Sequence, residues 1–102
     1  RVSVCALSAT RALVGYGPIC STAEVVLVFV SGVDVTKAVA LQLRSSNIDD
    51  LKVVPLGSTK KAVAVYRDED DLGYAKAQEL DVYDDFNGAS SALGPGSLTT
   101  FT

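Results

Sequence analysis

Histidine, methionine and tryptophan are absent from this chain of 102 residues, and cysteine occurs only twice. Without His there is no Ser-His-Asp triad and no Cys-His pair. A Ser or Thr nucleophile would need a lysine base, and no motif places one. Zinc takes four ligands, usually Cys and His, so a metal centre of that kind is not expected. The longest apolar run, at 23–30, spans eight residues, too short for a membrane helix. Basic residues are few, nine Lys and Arg against twelve Asp and Glu, for a net charge of −3. Only Lys60 and Lys61 adjoin, so there is no basic face for phosphates. Gly15-Tyr-Gly17 lacks the later glycine and the following helix of a phosphate loop. The expectation is therefore no enzyme, no cofactor, no nucleic-acid partner and no membrane span. No stretch reads as a signal peptide, and an opening at Arg1 without Met suits a matured chain or an excised fragment.

Hydrophobic residues make up 48%, too many for a disordered chain. One domain is expected, able to bury roughly two thirds of its unfolded surface. Its centre is Ala23-Glu-Val-Val-Leu-Val-Phe-Val30, whose length and β-branched content predict a strand buried on both faces. Before it, residues 2–9 alternate as a first strand, with Thr10 to Val14 a candidate extension past a bend, and Gly15-Tyr-Gly-Pro18 reads as a turn. After it, Ser31 to Asp34 suits a tight connection, with Asp34 alternatively opening the next strand. Ala38 to Arg44 alternates cleanly, with Val39, Leu41 and Leu43 on one side. Residues 45–50 form a polar loop, and Leu51 to Val54 a short strand stopped or pushed to an edge by Pro55. Gly57 to Lys60 is a turn. Lys61 to Arg67 reads as a strand with Val63 and Val65 inward, followed by an acidic turn, Asp68-Glu-Asp-Asp71.

Residues 73–83 fit two periods. As a strand, Tyr74, Leu80 and Val82 share a face interrupted by Lys76 and Gln78. As a helix, Ala77, Leu80 and Asp84 share a stripe with good helix propensity. The flanking strands and Gly73 favour the strand. From Asn87 the composition is linker-like, ahead of a short terminal segment, Leu98 to Thr102. About seven short strands, with turn signals every eight to twelve residues, predict an all-β, antiparallel β-sandwich, most simply immunoglobulin-like. A small jelly roll or barrel is the alternative. The division is a sandwich over 1–86, then a Gly/Ser-rich C-terminal arm or last strand over 87–102.

Cys5 and Cys20 are a candidate disulfide. It would close a loop of about fifteen residues, worth roughly 3 kcal/mol in the chain-entropy model; two buried free thiols are the alternative. Oxygen ligands for calcium exist where Asp68 to Asp71 would meet Asp49 or Asp50. Asp85-Phe-Asn87-Gly88 matches three positions of an EF-hand loop, which fails at Tyr83 and at Gly94. Solvated turns account for these acids more simply. The tyrosines 16, 66, 74 and 83 suit packing better than a binding face. The candidate assembly arm is Leu98, Thr99, Thr100, Phe101 and Thr102, which would add to a neighbour's sheet edge or fold back as the protein's own last strand.

The segment Val25-Val-Leu-Val-Phe-Val-Ser-Gly-Val-Asp-Val-Thr, with Ala38-Val-Ala-Leu-Gln-Leu-Arg44 after it, resembles immunoglobulin-like domains of tailed-phage virion proteins, among them baseplate and decoration proteins. Lys61 to Val65 and Gly73-Tyr-Ala-Lys-Ala are similar to the strands that follow there. The resemblance covers about half the chain and carries no functional residue across. It implies a structural subunit of a virion or of an extracellular or cell-surface assembly, with protein partners that are copies of itself or other virion or surface subunits. A Cys5–Cys20 bridge would instead suit a secreted or surface filament. The competing class is a recognition or adhesion module that binds a glycan or protein through its loops.

Overall fold

The computed structural model describes residues 2–18, 21–38, 40–57, 60–82 and 93–102. It is an antiparallel β-sandwich, with no helix among the described residues. Among the described residues nine strands form where about seven were expected. The first sheet holds β1 (Val2–Ala6), β2 (Arg11–Tyr16), β3 (Glu24–Ser31), β4 (Asp34–Lys37) and β5 (Leu41–Gln42). The second holds β6 (Ile48–Pro55), β7 (Lys61–Asp68), β8 (Tyr74–Val82) and β9 (Leu93–Phe101). The first sheet runs β1-β2-β3-β4 with β5 also paired to β3, and the second runs β6-β7-β8-β9, so among the described strands the chain changes sheet once, between β5 and β6. An immunoglobulin order instead interleaves its strands between two sheets.

The apolar run becomes β3 and is central, paired with β2 on one side and with β4 and β5 on the other. Val25, Val26 and Leu27 are buried although they point to alternate faces. The core joins Leu13, Val25 and Leu27 to Ile48, Leu51, Val53, Ala62, Ala64, Tyr66, Leu80, Val82 and Leu93. Gly15 belongs to β2, not to a turn. A Cβ there would lie 3.0 Å from Leu51 Cδ2, so glycine lets the two sheets meet closely at this point.

Irregular pairing explains other departures. β3 pairs Val28 with Lys37 and then Val25 with Leu41. The facing chain therefore carries one extra residue, a β-bulge between β4 and β5. The bulge breaks the strand expected over Ala38 to Arg44 and turns Ala38 inward, where it is buried like Leu43; Val39 lies outside the described residues. A second bulge, between Asp49 and Lys52, extends β6 back through residues read as a polar loop. Asp50 adopts φ 53° there, a conformation that Asp tolerates better than most side chains. β6 is an edge strand ending on Pro55, as the proline implied.

In β7 the faces are reversed from expectation. Ala62, Ala64, Tyr66 and Asp68 are buried, while Val65 is exposed. Alternation fixes a period but not which face is inside. Here two alanines accept the opposite sheet and Tyr66 fills the remaining depth. Residues 74–82 are a strand, β8, as the neighbouring strands suggested. Leu93–Phe101 is not a linker or a free arm: it pairs with β8 as the last strand, and Leu93 enters the core. Residues 83–92 lie outside the described residues.

Candidate functional site

β7 and β8 bring four polar side chains onto the inner face of the second sheet, where a sandwich normally holds only apolar ones. Strand alternation places Tyr66 and Asp68 on β7 beside Lys76 and Gln78 on β8, with Tyr66 directly opposite Lys76. Asp68 is 4% exposed and Gln78 is fully buried. Lys76 Nζ donates to Asp68 Oδ2 at 2.9 Å and to Asp71 Oδ2 at 3.1 Å. Ser45 Oγ donates to Asp68 Oδ2 at 2.9 Å and lies 3.4 Å from the Tyr66 hydroxyl. The Asp70 amide donates to Asp68 Oδ1. Burial pushes the Asp68 carboxyl up, but hydrogen bonds from Lys76, Ser45 and the Asp70 amide outweigh it and hold the group below its usual value. Hydrogen bonds to Asp68 and then Asp71 raise Lys76 above its usual value. A lysine held charged in this way is no base for Ser45. The arrangement is a satisfied ion pair that ties β7 and β8 to the segment after β5.

Gln78 extends the cluster. Its Oε1 accepts from the Arg44 amide at 3.2 Å, and its Nε2 is buried without a hydrogen-bond partner among the described residues. Lys76 and Gln78 are the two residues that interrupted the apolar pattern of β8. That interruption was the signal for a polar interior, although it reads equally as a helix or a loop.

The acidic groups at 49–50 and 68–71 do meet at one end of the second sheet, with cations of the chain itself between them. Arg67 reaches Glu69 at 2.6 Å, Asp49 at 3.6 Å and Asp50 at 3.9 Å. Its guanidinium is raised chiefly by the Glu69 hydrogen bond. Among the described residues no group of three or more His, Cys, Asp or Glu is placed to hold a metal ion. The stretch resembling part of an EF-hand loop, 85–88, lies outside the described residues. The tyrosines form no common face: Tyr66 is core, Tyr16 is half-buried on β2, Tyr74 opens β8, and Tyr83 is not described.

Cys5 is a free, half-buried thiol on the inner side of β1, raised above its usual value by burial. It is not bridged in this structure, and Cys20 lies outside the described residues. Leu98, Thr99, Thr100 and Phe101 complete β9, and Thr102 follows it. Leu98 packs partly against the core while Thr99, Thr100 and Phe101 are exposed.

Two surface features remain. One is a shallow cleft of about 180 Å³ lined by Thr22, Gln42, Leu43, Arg44, Ser45 and Ser46. The other is the outer face of the first sheet. Its cross-strand rows run Val2–Tyr16–Glu24–Gln42, Val4–Val14–Val26, Ala6–Ala12–Val28–Lys37 and Val30–Val35. Val2 is 72% exposed, Val4 63%, Val35 67% and Val30 40%.

The site and fold define a small all-β sandwich with a neutralised polar interior and several exposed valines on the outer face of its first sheet. Compared with protein-family models, curated proteins and solved structures, the chain matches none. No helix among the described residues is long and apolar enough to cross a membrane.

Proposed function

We propose that the chain is a non-enzymatic structural subunit of a virion or extracellular assembly, docked to copies of itself or to other subunits through its sheet surfaces and edges. The valine-rich outer face of the first sheet supports this reading. Its exposed valines, Val2 and Val4 on β1 and Val30 and Val35 where β3 meets β4, are costly to hydrate, and exposed apolar surface of this kind suits a docking face. The Asp68–Lys76 pair and the Arg67 cluster fit a frame held rigid rather than a reacting centre. Replacing Val4 and Val35 by Glu places two charges on this face, on separate strands. The expected result is a smaller assembly, stripped of the contacts made through this face, with an unchanged melting transition. An assembly of unchanged size in the folded double variant would contradict the docking role of the face.

The polar cleft beside Arg44 favours a second reading, a recognition module for a glycan or protein. Gln42, Arg44, Ser45 and Ser46 supply donors and acceptors at one sandwich end. A glycan array probed with the native chain tests it, and loss of a hit in Arg44→Ala would support it.

A further inference from the structure

Resting on the assembly reading above, we infer that Leu98 to Phe101 of β9, with the adjoining Thr102, pair edge to edge with the same residues of a second copy, antiparallel about a two-fold axis at Thr100.

The protein treats its sheet edges unequally. Open edges invite pairing with other chains, and proteins blunt them with charge, proline, bulges or cover. β6 carries Asp49, Asp50 and Lys52, a bulge and a terminal Pro55. Its amide at Val53 donates to Ser3 Oγ of β1 at 3.1 Å, and Ile48 is bridged by Ser21. β1 and β6 therefore shield one another. β4 is four residues long, with Asp34 and Lys37 at its ends. The first half of β9 contains Pro95 and a bulge opposite Glu79, and the Arg44 guanidinium donates to Gly96 O at 2.6 Å. The second half, Leu98-Thr-Thr-Phe101, and the adjoining Thr102 have no charged side chain, proline or bulge. Among the described residues no strand lies on its outer side.

The partner's chemistry follows from this segment. An uncharged, Thr- and Phe-rich strand is compatible with itself, since no like charges face each other across an antiparallel pair. A two-fold perpendicular to the sheet keeps inner faces on one side, so one residue must lie on the axis. Placing Thr100 there uses all five residues: Thr99 faces Phe101 of the second copy, and Leu98 faces Thr102. Aromatic with β-branched is a favourable cross-strand pair. Phe101, 55% exposed in the single chain, gains cover. Lys76 lies opposite Thr100 within the chain, so the two Lys76 residues sit three strand spacings apart, about 14 Å. That exceeds the screening length of roughly 8 Å at physiological salt. The contact is isologous and closes as a dimer. Five paired residues cover less than the roughly 800 Å² per partner of a standard interface, so the dimer depends on concentration.

Two variants and one control test the inference in the full chain with Cys5→Ala and Cys20→Ala. Thr100→Cys should form an intermolecular disulfide under mild oxidation, while Lys37→Cys on β4 should not. Thr99→Lys, in a chain that still melts cooperatively, should halve the mass of the smallest assembled species. Absence of the Thr100→Cys cross-link, with the mass of Thr99→Lys unchanged, overturns the edge pairing; a native chain that is still multimeric in that case leaves the assembly reading standing. A native chain that is monomeric at all concentrations overturns both.

Discussion

Lys76 Nζ lies 2.9 Å from Asp68 Oδ2, joining adjacent strands on the inner face of the second sheet. This contact makes stability depend on pH at both ends of the scale. Asp68 is held below its ordinary 3.8, so its contribution is present above that value and is lost as pH falls through the lower folded value. Lys76 is held above its ordinary 10.5, so its contribution is complete below that value and is lost as pH rises through the folded one. Stability should therefore be flat between about pH 5 and pH 9, as far as this pair governs it. Asp68→Asn should cost about 2 kcal/mol at pH 7, the scale of a hydrogen bond to a charged group, and should flatten the acid limb. Urea titrations from pH 2 to pH 8 check this. An acid limb of the same slope in the variant would assign it to other carboxylates.

Gly96 sits in the β9 bulge, where an added Cβ would come within 2.8 Å of Glu79 Cβ and 3.0 Å of Glu79 O. Gly96→Ala should destabilise by about 1–3 kcal/mol, the usual range for overpacking. Chemical denaturation measures it. A neutral substitution would mean that β9 does not pair with β8 in solution and behaves as a detached arm.

Leu72 has φ 56° and is 84% exposed. A left-handed conformation costs a branched side chain roughly 1 kcal/mol, and an exposed Leu forfeits little packing when removed. Leu72→Asn should raise stability by about 0.5–1 kcal/mol, since Asn tolerates this conformation. A lower melting temperature would show that the Leu72 side chain makes a contact of its own.

Cys5 is half-buried and its thiol is raised by burial, so less of it is thiolate at neutral pH. Iodoacetamide should label Cys5 slowly in the native protein and promptly after unfolding without reductant. A Cys5 that stays unlabelled in denaturant until reductant is added would establish a bridge to Cys20.

How legible each element was depends on what its residues must do. β3 could be read because a run buried on both faces leaves a continuous apolar signature. The inward face of β7 is not the one its valines suggest: Val63 and Val65 outweigh Ala62 and Ala64 in hydrophobicity, whereas the close approach of the sheets selects the smaller pair. β8 was ambiguous because Lys76 and Gln78 face inward, where only their partners, Asp68, Asp71 and the Arg44 amide, make burial affordable. Those partners are distant or turn residues that no period reveals. β9 was hidden by Gly94-Pro-Gly96, which reads as a linker until the bulge opposite Glu79 requires a glycine. The outer valines of β1 and β4 were visible as apolar residues, but their exposure follows from the pairing register alone.

The most direct test of the assembly reading is the absolute mass of the native chain, by size exclusion with light scattering over a wide concentration range. The account predicts discrete species at multiples of the 10.6 kDa chain mass, with the dimer the first to form. A single species at 10.6 kDa at every concentration would contradict it and leave the Arg44 cleft as the feature to pursue.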